Sequence, residues 1–152
     1  MAIHRVSASR LIAAPARKVY DIIADYRNGH PRILPKPYFL SLNVEKGGYG
    51  AGTVINFQMQ LMGRIQSFHA SITEPEPAHT LVETDSNTGA ITTFTVEPRL
   101  KGEEAFVTIA TTTTVLDGLP GKIQGWFTTR LLHPIYEKEL AQLAAVAAEQ
   151  GI

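Results

Sequence analysis

The stretch Thr53-Val54-Ile55-Asn56-Phe57-Gln58-Met59-Gln60-Leu61-Met62 puts Ile55, Phe57, Met59 and Leu61 on one face and Asn56, Gln58 and Gln60 on the other. A two-residue period held this long is that of a strand with one packed and one wetted face, the habit of antiparallel sheets. Reading outward, Met62-Gly63 turns the chain into a second strand over 64–73, with Phe68, Ala70 and Ile72 inward and Pro75 and Pro77 as its end. Further strands are predicted at 80–84, 91–96 and 105–115, separated by Ser86-Asn87-Thr88-Gly89 and Lys101-Gly102. The run Thr111-Thr112-Thr113-Thr114 has high β propensity and belongs to the last of them. Upstream, 38–45 reads as a strand closed by Lys46-Gly47-Gly48, and 3–12 as the first strand of the chain.

Helical spacing occurs in two places. Pro15 suits a first helical turn, and Val19, Ile22 and Ile23 carry an amphipathic helix over 15–24. Residues 25–37, with Pro31, Pro35 and Pro37, read as a second short helix or turn and a rigid loop. After Asp117-Gly118-Leu119-Pro120-Gly121 the period becomes helical to about Gln150. Ile123, Phe127 and Leu131 mark the apolar stripe before Pro134, and Leu132, Tyr136, Leu140, Leu143 and Ala147 mark it afterwards, with a slip of about one residue at the proline. Strands joined by tight turns, with segregated helices, predict an α+β domain whose sheet is covered by this long final helix.

Composition bounds the function. The 152 residues are 44% hydrophobic and 18% charged, which predicts one globular domain over 1–152. Lys+Arg and Asp+Glu are both 14, so the net charge is zero. That balance argues against a nucleic-acid partner and against electrostatic docking on an anionic membrane. The absence of cysteine excludes disulfides, thiolate catalysis and Cys-ligated metals. The opening Met-Ala-Ile-His-Arg-Val has no signal-peptide run and no stretch reaches spanning length, giving a cytoplasmic reading without stable membrane insertion.

Several local signatures resemble the START-like polyketide cyclase/dehydrase superfamily, whose helix-grip fold is also that of the birch-pollen allergen. They are Leu11-Ile12-Ala13-Ala14-Pro15-Ala16-Arg17-Lys18-Val19-Tyr20 with Asp21-Ile22-Ile23-Ala24-Asp25-Tyr26, then His30-Pro31-Arg32-Ile33-Leu34-Pro35, the turn Tyr49-Gly50-Ala51-Gly52-Thr53, and Glu74-Pro75-Glu76-Pro77. The resemblance implies a curved antiparallel sheet of six to seven strands around a long C-terminal helix, two short helices after the first strand, and an internal cavity. Where many members carry a Trp before a proline, this chain has Ile33 or Leu34. Members carry lipids, sterols, hormones, polyketides or quinones, or perform cyclisation, so the fold alone does not choose between them.

A pocket of that kind is mostly apolar with a few orienting polar groups. The inner-face set is Ile55, Phe57, Met59, Leu61, Phe68, Ile72, Phe94, Val96, Val107, Ile109, Trp126, Phe127 and Tyr136, joined by the polar Gln66, Thr92, Thr111 and Thr113 and by Glu83. Each apolar member fits a plain core role as well. Arg130, one turn beyond Trp126, could pair an acidic ligand group. Among the five histidines, His4, His30, His69, His79 and His133, no metal-ligand spacing occurs, and His69 is expected to face solvent. No Gly-x-Ser-x-Gly, phosphate loop or dinucleotide fingerprint is present. The expectation is a cofactor-free, metal-free carrier or sensor of a small hydrophobic molecule. The alternatives are a cyclase, aromatase or dehydratase with Glu83 or His133 as its acid or base, or an interaction module or homodimer.

Overall fold

A computed structural model describes residues 1–149. The elements are β1 (Ala2–Ile12), α1 (Ala16–Ala24), α2 (His30–Ile33), β2 (Phe39–Lys46), β3 (Val54–Leu61), β4 (Arg64–Glu76), β5 (Thr80–Asp85), β6 (Ile91–Arg99), β7 (Glu104–Val115) and α3 (Gly118–Ala147). Seven antiparallel strands form one curved open sheet in the order β1-β7-β6-β5-β4-β3-β2, and the long helix lies in its grip. This is the helix-grip architecture. The two edge strands, β1 and β2, are joined by α1 and α2.

The alternation read from 53–62 sets the register. Ile55 and Met59 are buried, and β3 pairs with β4 from Val54↔Ser71 to Leu61↔Arg64. The amphipathic α1 buries Val19, Tyr20, Ile22 and Ile23, and Pro15 is its N-cap residue. The Tyr20 hydroxyl donates to Glu74 Oε2 at 2.5 Å, and the Ala51 N–H donates to Glu74 Oε1 at 2.7 Å. Glu74 thus ties α1 to the glycine turn before β3. At Gly50, φ is +62° and a Cβ would stand 2.2 Å from Glu74 Oε1. Glycine answers both demands at once.

Three boundaries differ from the sequence reading. Strand β4 continues through Pro75 to Glu76, because the β4–β5 pairing is irregular between Thr73 and Glu76 and no ladder bond is required at the proline. Strand β6 likewise runs past Val96 to Arg99, with Pro98 opposite Ala105 near the end of the ladder. Helix α3 is continuous through Pro134 and ends at Ala147; the expected end at Gln150 lies outside the described residues.

The slip in the helical stripe is also corrected. The buried side of α3 runs without offset through Gly121, Gly125, Tyr136, Leu140, Leu143 and Ala147, whereas Ile123 and Phe127 are exposed. Hydrophobicity cannot mark a glycine, yet both are buried and neither position has room for a side chain. A Cβ on Gly121 would stand 1.5 Å from the Leu116 carbonyl oxygen, and one on Gly125 would stand 2.5 Å from His4 Nδ1. Close approach at Gly125 sets α3 against β1, where His4 Nε2 and Thr129 Oγ1 are 2.7 Å apart.

Candidate functional site

Between α3 and the concave sheet lies a cavity of about 280 Å³. This is near the lower end of small-molecule pockets, which run from ~300 to 1,000 Å³. Its apolar wall comes from β3, β4, β6 and β7 through Ile55, Phe57, Met59, Leu61, Phe68, Phe94 and Ile109. Phe57 and Phe68, cross-strand partners in the register, stack with centroids 4.8 Å apart. Phe39 and Leu42 of β2 and Leu131 and Leu132 of α3 extend this wall.

A group of polar side chains lines the cavity from the surrounding elements. Glu83 on β5 accepts a hydrogen bond from the Tyr26 hydroxyl at 2.6 Å. The His30 ring stacks on Tyr26 at 4.4 Å and meets Phe94 edge-on at 5.4 Å. His30 Nδ1 lies 2.8 Å from the Ile23 carbonyl oxygen. A carbonyl only accepts, so Nδ1 carries the proton and Nε2 is left facing Glu83 Oε2 at 3.6 Å. Burial pushes the His30 pKa down, against the opposing pull of the Glu83 charge.

Asp85 on β5 and Glu139 on α3 are further carboxyls of the lining, and Asp85 accepts from the His69 and Thr88 N–H groups at 2.7 and 2.8 Å. Glu139 is 3% exposed, and its side chain lines the cavity. Burial, followed by the charge of Glu83, pushes its pKa well above the ordinary glutamate range. The shift favours the carboxylic acid, the form that can donate a hydrogen bond. Beside it, Tyr136 Oη and Thr111 Oγ1 are 2.5 Å apart, and Thr111 Oγ1 and Thr92 Oγ1 are 2.7 Å apart, forming a hydroxyl chain. Burial is the main cause that pushes the Tyr136 pKa up to about 12, so its hydroxyl stays protonated.

The structure brings together Ile55, Phe57, Met59, Phe68, Thr92, Phe94, Ile109, Thr111, Tyr136 and Glu83 around this cavity. Trp126, Phe127 and Arg130 are a correction to the inner-face set. They lie outside the cavity on the outer side of α3, with the Arg130 guanidinium 5.4 Å over the Trp126 ring. His133 is also outside, its Nδ1 3.1 Å from Glu137 Oε1. Ile72, Val96 and Val107 are packed core residues that do not line the space. His69 is part-exposed and bridges Glu45 and Ser86, at 2.8 and 3.0 Å.

Sequence reasoning missed His30 and Glu139. His30 sits in a proline-rich segment that reads as loop, but α2 carries it inward to 2% exposure. Glu139 did leave a signal: it falls one turn after Tyr136 on the stripe, where a charged residue is out of place.

Residues 4–148 match the family described as polyketide cyclase/dehydrase and lipid transport. No curated protein matches the sequence. Among solved structures, the KanY protein is similar over 98% of this chain and 100% of its own, with 27% identity and a TM-score of 0.83. The Zhui aromatase/cyclase from Streptomyces sp. R1128 covers 99% of this chain and 100% of its own at 16% identity and a TM-score of 0.75. A START superfamily protein from Mycobacterium smegmatis covers 95% and 97% at 14% identity and a TM-score of 0.72. The last two likenesses bear on the fold alone.

Proposed function

This chain belongs to the polyketide cyclase/dehydrase and lipid transport family, and from that premise we propose that it binds a small, mostly apolar molecule carrying a polar group. The body of the ligand lies along Phe57, Phe68 and Ile109, and its polar group meets Glu139 and the Thr92–Thr111–Tyr136 hydroxyls. The supporting observation is Glu139. It is 3% exposed yet lines the cavity, and among the described residues no buried side-chain oxygen is left without a partner, so its carboxyl oxygens open onto the cavity, where a polar ligand group can meet them. The modest volume favours a compact ligand over a long-chain lipid.

Native mass spectrometry of protein purified from cells tests this reading, together with titration of an apolar fluorescent probe. A co-purifying small molecule and saturable probe binding are expected. Thr113→Trp, at a half-buried lining position, should weaken the probe at least tenfold. Absence of probe binding, or binding indifferent to Thr113→Trp, would count against the proposal.

A second reading, acid–base catalysis of a cyclisation or dehydration, is favoured by one observation. Glu139, whose burial favours its protonated form, the Glu83 carboxyl and the Nε2 of His30 all border one apolar space. General acid catalysis needs such a proton donor within reach of the substrate. Here the acid is Glu139 and the acceptor is His30 Nε2 or Glu83; His133 is too far outside to take part. Glu139→Gln should abolish turnover of an identified substrate and leave probe binding intact. Full turnover in that variant would leave binding alone.

A further inference from the structure

The outer side of α3 carries a pattern the cavity does not use. At 3.6 residues per turn, Leu119, Ile123, Trp126 and Arg130 fall opposite Gly121, Gly125 and Leu132. Leu119, Ile123, Trp126 and Phe127 are 69%, 51%, 55% and 59% exposed. The span from Gly118 to Tyr136 contains Lys122 and Arg130 and no acidic residue. Asp117, just before it, is held 3.0 Å from the N-terminal ammonium.

Sheet register adds to this surface. Ala2 pairs with Val115, Ile91 with Thr112 and Leu61 with Arg64. The β3–β4 turn therefore points to the same end of the sheet from which α3 departs. That turn exposes Met62 and Ile65, at 84% and 61%, on either side of Arg64. At this end the cavity lining includes the exposed Gln66, Thr114 and Gln124, in contrast to the buried His30 and Glu139.

We propose that the outer face of the first turns of α3, with the β3–β4 turn, docks on an anionic lipid bilayer. Exposed Trp, Phe and aliphatic residues interleaved with basic ones on a helix that lacks acids is the chemistry of an interfacial amphipathic helix. Tryptophan is the residue most at home at the headgroup level. Zero net charge does not cancel this, because surface charges act over about 10 Å at moderate salt and the local set is basic. A two-fold contact between copies of this chain is disfavoured. It would bring Lys122 and Arg130 of both copies together without an acid in the span to pair them, whereas anionic headgroups supply that charge. The inference is independent of the ligand reading; if both hold, docking brings the open end of the cavity to the membrane.

Trp126 is the sole tryptophan of the chain, so its emission reports the contact directly. Vesicles of phosphatidylcholine with and without phosphatidylglycerol are mixed with the full chain and floated. Co-flotation and a blue shift with the phosphatidylglycerol vesicles are expected, both reversed by high salt. Lys122→Glu replaces an attraction by a repulsion and should weaken binding by roughly thirtyfold, at ~1 kcal/mol per charge near an anionic surface. Phe127→Asp should abolish binding at an unchanged melting temperature. Binding to neither vesicle, binding indifferent to lipid charge and to Lys122→Glu, or a Trp126 already blue-shifted in a vesicle-free dimer would each overturn the proposal. Cavity-probe titration without vesicles is unaffected by any of these outcomes, which separates this inference from the ligand reading.

Discussion

Replacing Glu139 by glutamine should change how stability depends on pH, and the sign can be worked from the site. In the folded chain the Glu139 pKa is raised, first by burial and then by Glu83. Once pH passes the ordinary glutamate range, the unfolded chain has lost this proton and the folded chain still holds it. Unfolding then releases a proton, so stability falls as pH rises until the folded pKa is passed. One proton corresponds to a slope of about 1.4 kcal/mol per pH unit. His30 acts in the opposite sense: its pKa is lowered by burial, so the unfolded chain binds the extra proton below the ordinary histidine pKa. Between the ordinary glutamate and histidine values the two slopes oppose each other. Urea unfolding of wild type and Glu139→Gln, followed upward in pH from the ordinary glutamate range, should therefore show wild type losing up to ~1.4 kcal/mol per pH unit relative to the variant until the folded pKa of Glu139 is passed. Parallel curves for wild type and Glu139→Gln would refute the assignment of a protonated carboxyl at this position.

Gly121→Ala should cost about 1–3 kcal/mol in chemical unfolding, because its Cβ would meet the Leu116 backbone, which cannot rotate away. Gly125→Ala should cost less, since the His4 ring can turn aside and alanine regains about 1 kcal/mol of helix propensity; equal losses at both positions would count against this account. Tyr26→Phe removes the bond to Glu83 and should lower stability by about 1.5–3 kcal/mol, with a melting temperature within error of wild type as the contrary result. Thr111→Val breaks both links of the hydroxyl chain and should destabilise by about 1–3 kcal/mol at little change in volume, read by the same unfolding experiment.

The fold was legible because strand alternation and glycine–proline turns are local signals, and β3 displays the two-residue period in full. The apolar cavity wall followed from the same alternation, since Ile55, Phe57, Met59 and Phe68 share the inner face of paired strands. The first half of α3 was misread for a physical reason. There the helix packs through Gly121 and Gly125, and its large apolar side chains point outward, so hydrophobicity marks the wrong side. His30 and Glu139 lie 109 positions apart in the sequence, at 30 and 139, and only the tertiary fold places both beside Glu83. No local pattern encodes such a meeting.

The ladder between β1 and β7 joins Ala2 to Val115 and continues to Ile12 and Ala105. During synthesis the first strand must therefore wait for roughly a hundred further residues to emerge before its partner in the sheet exists, the high-contact-order closure that slows folding. Until then residues 2–12 lack their ladder partner, the condition in which an unpaired strand edge invites association with other chains.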